Sequence, residues 1–146
     1  MNQKRMIGPN RSVLLIIVLS IITCGIYPFI WMYQVTSELN EYTEDYHLNP
    51  SLVIVLTLLT CGLYQFYWWY RINELMMRAQ YQTGYSMPTD NKLLFILLTF
   101  FGLALINMAI LQSDLNRLWD QAMRADAEVN NQPPIDSTSN DEWTDY

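Results

Sequence analysis

The chain has 146 residues, 51% of them hydrophobic, with 8 Lys and Arg against 14 Asp and Glu and a net charge of −6. This length confines it to one domain or a small bundle. The acidic balance excludes a nucleic-acid partner, whose phosphates call for clustered cations.

Charge is segregated, and the chain reads as follows in order. Residues 1–11 form a polar basic N-terminus with Lys4, Arg5 and Arg11. Val13 to Tyr33 then runs for 21 residues without a charge, enough helix at about 1.5 Å per residue to cross a hydrocarbon core of about 30 Å. The run is too long for a signal peptide and lacks a small-residue cleavage site. Ile21-Ile22-Thr23-Cys24 faintly resembles a lipoprotein processing site. A threonine before the cysteine is unfavourable there, however, and the pattern recurs at Cys61, so an uncleaved membrane anchor is the reading. Residues 34–51 hold Glu38, Glu41, Glu44 and Asp45 with no Lys or Arg. Val35, Leu39, Tyr42 and Tyr46 continue the helix as an amphipathic extension, which Asn49-Pro50 ends.

Leu52 to Tyr70 is the second uncharged run and closes with Tyr67-Trp68-Trp69-Tyr70-Arg71, the aromatics and cation that a helix end wants at headgroup level. Ile72, Leu75, Met76 and Ala79 extend an apolar stripe toward a loop marked by Gly84 and Pro88. Leu93 to Leu111 is the third run, followed by the stripe Leu115, Leu118, Trp119 and Ala122. From Ala125 the chain is acidic and rich in Asn, Asp, Ser and Pro, a composition that cannot offset its ordering entropy. The expected fold is all-α and integral to the membrane: three transmembrane helices (about 13–33, 52–70 and 93–111) with amphipathic extensions make a membrane domain over 12–124, and a disordered acidic tail follows over 125–146.

Shifted by 37 residues, the first two runs overlay. Thr23, Cys24, Gly25, Tyr27, Phe29, Trp31 and Tyr33 meet Thr60, Cys61, Gly62, Tyr64, Phe66, Trp68 and Tyr70. The third run is a decayed copy, with Gly102 in the glycine position and Asp114-Leu115-Asn116 echoing Glu38-Leu39-Asn40. Cations near the runs orient the N-terminus inside and the tail outside. Units that each cross once then make an inverted repeat. A re-entrant hairpin turning at Thr-Cys-Gly is the rival, and backbone turning at membrane depth must be shielded by protein.

Cys24 and Cys61 fall near the middle of their runs. Ser20 lies four residues before Cys24 and Thr57 four before Cys61, so small residues form a seam at which helices approach closely, with Gly25, Gly62 and Gly102 beside it. Pro28 removes the bond to the Cys24 carbonyl and bends the helix there; Gln65 takes its place in the second unit. The thiols are otherwise a disulfide, a soft-metal pair or a redox sensor, although two sulfurs are few for a metal site. Tyr27, Trp31, Tyr33, Tyr64, Trp68, Trp69 and Tyr70 read as an interfacial aromatic belt. His47 is a surface residue. Gln65 and Asn107 are the most polar groups within the runs and bond between helices.

Thr23-Cys24-Gly25-Ile26-Tyr27, then Trp31, Tyr33 and Glu38-Leu39-Asn40, resembles a prokaryotic family of small membrane proteins labelled domain of unknown function 4234. Thr60-Cys61-Gly62-Leu63-Tyr64 with Trp68 and Tyr70 matches it again, and Ile110 to Asn116 looks like its closing segment. The resemblance covers roughly residues 10–120. It implies a bacterial or archaeal cytoplasmic-membrane protein and no particular mechanism. Pro28, where glycine is expected, and the acidic tail depart from it.

No nucleophile, base or metal-ligand cluster is present, so neither an enzyme nor a cofactor is called for. The reading is a non-catalytic scaffold or interaction module whose partners are the lipid bilayer and a protein or second copy met through the spans. An oligomeric channel or transporter is the alternative, against which stands the lack of an ionisable group in the runs. A thiol-based redox or stress sensor comes third.

Overall fold

A computed structural model describes residues 7–131. Six helices fill them: α1 Val13–Ile22, α2 Tyr27–Thr43, α3 Pro50–Leu59, α4 Leu63–Thr83, α5 Lys92–Phe100 and α6 Ala104–Asn131. Each uncharged run is thus broken in two. No described helix is long and apolar enough to cross a membrane, and the three-span fold is corrected accordingly.

The breaks share one geometry. In the first, Gly25 N–H reaches back to the Ser20 carbonyl at 3.0 Å and Cys24 N–H to that of Ile21 at 3.2 Å. This is the paired bonding that closes a helix when the residue after its cap turns left-handed. Cys24 (φ 50°) and Gly25 (φ 91°) are both left-handed, as are Cys61 (φ 51°) and Gly62 (φ 93°). In the second break Gly62 N–H meets the Thr57 carbonyl at 2.8 Å, and in the third Leu103 N–H meets that of Leu98 at 2.8 Å. Gly102 (φ 75°) takes the left-handed position there, where a non-glycine residue costs roughly 1–2 kcal/mol.

Each break reverses the chain into a hairpin. Arg11, just before α1, ion-pairs with Glu38 far along α2. Asp45, before α3, pairs with Arg78 of α4. Asn91, at the start of α5, donates to Asp114 of α6 at 3.3 Å. The long helices α2, α4 and α6 run parallel: Trp31 meets Trp68 and Gln112, while Tyr42 meets Thr83 and Trp119. All three tips therefore lie at one end. Each long helix also packs on the short helix of the next unit, α2 on α3, α4 on α5 and α6 on α1, which closes the hairpins into a ring of pseudo-threefold symmetry. The repeat is tandem and parallel, and the inverted repeat is corrected.

Three asparagines hold the ring. Asn40 donates to the Leu48 carbonyl at 2.6 Å, Asn73 accepts from Asn91 N–H at 3.1 Å, and Asn116 bonds both the N–H and the carbonyl of Arg11. Each clasps the backbone that leads into the next short helix. The core between the long helices contains Trp31, Trp68, Trp69, Leu39, Ile72, Leu115 and Trp119, all fully buried, with Phe95 from α5. Residues 7–11 pack on this core: Gly8 lies against the Trp119 ring and Asn10 donates to Asp120. Helix α6 continues to Asn131, so the expected tail is helical from 125 to 131; residues 132–146, like 1–6, lie outside the described residues.

Candidate functional site

In the two Thr-Cys-Gly tips the backbone amides find their partners within the hairpin. In the first, the amides of Thr23, Cys24, Gly25, Ile26 and Phe29 all bond carbonyls of the same hairpin. Tyr27 N–H goes to Thr23 Oγ1 at 3.0 Å, and Pro28 has no N–H to satisfy. Thr23 serves both helices, since its hydroxyl also donates to the Leu19 carbonyl at 2.7 Å. Thr60 repeats this, accepting from Tyr64 N–H at 2.9 Å and donating to Leu56 at 2.7 Å. Phe101 occupies the corresponding place in the third tip and has no hydroxyl to offer.

All three tips are apolar. Ile22, Ile26, Leu59, Leu63, Phe100 and Phe101 are strongly exposed there, and the outward faces of α1, α3 and α5 add Leu14, Leu52 and Leu97. The short helices have 10, 10 and 9 residues, or about 14–15 Å of length each. From each turn both arms run uncharged for about 12 Å or more, since Lys92 is the first residue of α5 and Arg71 follows Leu63–Tyr70 on α4. The first cations come at the inner rim of this band: Arg11, Arg71 and Lys92. Tyr33 and Tyr70 are exposed near them, and the Lys92 ammonium lies 5.5 Å from the Tyr70 ring centre.

The residues singled out in the sequence divide between this surface and the core. Cys24 and Cys61 are exposed free thiols at two separate tips. Ser20 and Thr57 are buried, and their carbonyls receive the Gly25 and Gly62 amides. The seam of small residues is therefore the foot of each turn. Pro28 stands in the first turn of α2, where a missing N–H costs nothing, so it opens a helix where a mid-helix bend was expected. Trp31, Trp68 and Trp69 belong to the core. Trp31 Nε1 donates to Gln112 at 2.8 Å and Trp68 Nε1 to Thr36 at 2.9 Å. Tyr27 and Tyr64 pack partly against it, which leaves Tyr33 and Tyr70 as the outward-facing members of the expected belt. Asn107 bonds the Phe95 carbonyl at 2.7 Å and Thr99 at 2.9 Å, tying α6 to α5.

Sequence reasoning missed the double role of Thr23 and Thr60, although both stood in the repeated motif. It also missed the asparagine clasp, of which the echo of Asn40 in Asn116 was the visible trace. The opposite end of the ring is polar. A groove of about 680 Å³ there is lined by Thr83, Tyr85, Arg117, Asp120, Arg124 and Glu128 among others. Burial pushes the Asp114 carboxyl above its ordinary range, partly offset by Arg117. Burial also acts upward on Asp90, but the Lys92 amide and charge and the Asn73 amide outweigh it and hold that carboxyl low.

A family profile described as Domain of unknown function (DUF4234) matches residues 11–52 and 49–117. These two segments take in all three hairpin turns and agree with the resemblance carried by the Thr-Cys-Gly motifs. No curated protein and no solved structure matches the chain significantly.

Proposed function

Because the chain belongs to the DUF4234 family, whose description carries no activity, its role has to come from its own surface, and we propose that it is a non-catalytic membrane module lodged in a single leaflet by its three hairpin tips. The observation that carries this reading is the exposed band without charges, about 12–15 Å deep on the hairpins. That approaches half of a hydrocarbon core of about 30 Å. Two further features support it. Turning backbone at membrane depth must find its hydrogen bonds within the protein, and the amides of the Thr-Cys-Gly tips do so. A rim of tyrosines and cations suits the headgroup level. The polar end, with the groove along α6, then faces water and is where a protein partner docks, which makes the molecule a scaffold. Trp31, Trp68 and Trp69 fill the space between the long helices, a packing that favours a scaffold over a pore. Residues 7–11 and the exposed end of α6 both lie on the water side in this arrangement, where the cation count had put the two ends on opposite sides.

The native thiols test the reading directly. In C61S the remaining Cys24, and in C24S the remaining Cys61, carries an environment-sensitive fluorophore, and the protein is placed in vesicles. Lipids brominated near the acyl ends should quench both labels, and aqueous iodide should not. Quenching by iodide at both positions would refute lodging by the tips.

A further inference from the structure

The tips determine depth, and the rim determines which headgroups the molecule accepts. Two features of such a rim ordinarily bind anionic lipid. The first is unpaired cations; the second is helix N-termini, whose free amides and dipole attract phosphate. Both are present at the rim, where the described cations are engaged inside the protein and the helix N-termini are partly capped.

Among the described residues the cations Arg11, Arg71, Arg78 and Lys92 each have a carboxylate partner. Arg11 grips Glu38 through both terminal guanidinium nitrogens. Arg71 pairs with Glu74 three residues on, Arg78 with the buried Asp45, and Lys92 with Asp90 at 3.4 Å. The three short helices all begin at this level, and each has a first-turn amide capped by a side chain. Ser12 Oγ accepts from Leu15 N–H at 3.5 Å. Asn49 Oδ1 accepts from Ser51 and Leu52 at 3.0 and 3.4 Å, and Pro50 contributes no amide. Asp90 Oδ1 accepts from Lys92 N–H at 3.1 Å.

We infer that the membrane partner is selected by hydrocarbon depth alone, that a zwitterionic lipid surface is sufficient, and that anionic headgroups add no affinity, because the described cations of the rim are neutralised from within. This rests on the proposed lodging of the tips in one leaflet and specifies the lipid that receives them.

The full chain, synthesised in a cell-free reaction containing vesicles, is floated from phosphatidylcholine vesicles and from vesicles that also contain phosphatidylglycerol, in low and in molar salt. The expected result is flotation with phosphatidylcholine alone, no gain from phosphatidylglycerol, and no loss in salt. Flotation that requires phosphatidylglycerol and is stripped by salt overturns the inference while leaving lipid contact standing. Failure to float with either lipid overturns both the inference and the leaflet reading. The pairing itself is tested by E38Q and E74Q, each of which frees one cation. Freeing one should favour the anionic vesicles roughly fivefold, the equivalent of about 1 kcal/mol per cation at a membrane surface. E74Q changes only a partly exposed pair within one helix, so it keeps the fold if E38Q does not. No gain in E74Q would show that pairing is not what closes the rim.

Discussion

Leu63 separates a tip that faces hydrocarbon from one that faces water, because the two cases give opposite signs for one substitution. The residue is 72% exposed and is the first of α4, directly after the left-handed Gly62. Consider Leu63→Asp. If the tip faces water, little packing is lost, and a carboxylate in the first turn of a helix gains about 0.3–1 kcal/mol from the helix dipole; the protein becomes slightly more stable and more soluble. If the tip sits at the depth of acyl-chain ends, Leu gives up about 0.3–0.6 kcal/mol and Asp costs about 2.5–3.5 kcal/mol. The sum, about 3–4 kcal/mol, is a fall of two to three orders of magnitude in partition at about 1.4 kcal/mol per decade. The assay is vesicle flotation across a lipid titration, with Leu63→Met as the apolar control. Near-ultraviolet circular dichroism of the buried tryptophans confirms that the fold is kept. L63D protein that keeps its fold and floats with undiminished affinity would refute the placement of the tips in lipid.

Three further outcomes follow from the geometry. Thr60→Val removes the acceptor for Tyr64 N–H and should lower stability by about 1 kcal/mol, as loss of a helix cap does; Thr60→Ser should restore it, and equal denaturation midpoints for all three proteins would count against the double cap. Gly8→Ala places a methyl 2.7 Å from Trp119 Cε2 and should cost about 1–3 kcal/mol by overpacking, read as a lowered melting temperature with a changed tryptophan dichroism. Asp114 is held above its ordinary pKa by burial, so the folded chain binds a proton that the unfolded chain releases near pH 3.9. Stability from this group is complete below that value and is lost as pH rises through the folded pKa. Asp114→Asn should flatten that part of the urea-midpoint profile, and a profile of unchanged slope would discount the buried carboxyl.

The helical class and the internal repeat were legible in the sequence, as were the residues at which each run changes character. What was not legible was that the chain reverses there. Thr23-Cys24-Gly25 carries no charge and its proline follows rather than precedes it, so the apolar run reads straight through the turn. The absence of charge reports how deep a segment can sit in hydrocarbon and says nothing of whether it returns. Pro28 was misleading for the same reason: in a continuous helix it makes a bend, but three residues after a left-handed pair it stands in the first turn of a new helix. The aromatics were separable only in three dimensions. Trp31 and Tyr33 are two apart, yet on α2 one faces the ring's interior and the other its outside. The asparagine clasp eluded pattern reading because Asn40, Asn73 and Asn116 each sit at a different distance from their turn, so a fixed period does not align them.

The ring also sets a limit on the length of such a chain. Each long helix packs on the short helix of the next unit, so the third hairpin meets the first through α6 and α1, and the backbone before α1 is taken by Asn116 as the others are taken by Asn40 and Asn73. A solenoid can accept another copy at its end, whereas this arrangement has no end to extend. Two hairpins alone would leave one flank of each open and would need a second molecule to cover it. A fourth would have nowhere to dock. Duplication in this architecture is complete at three, and the segment 7–11 is the latch by which the last copy recognises the first.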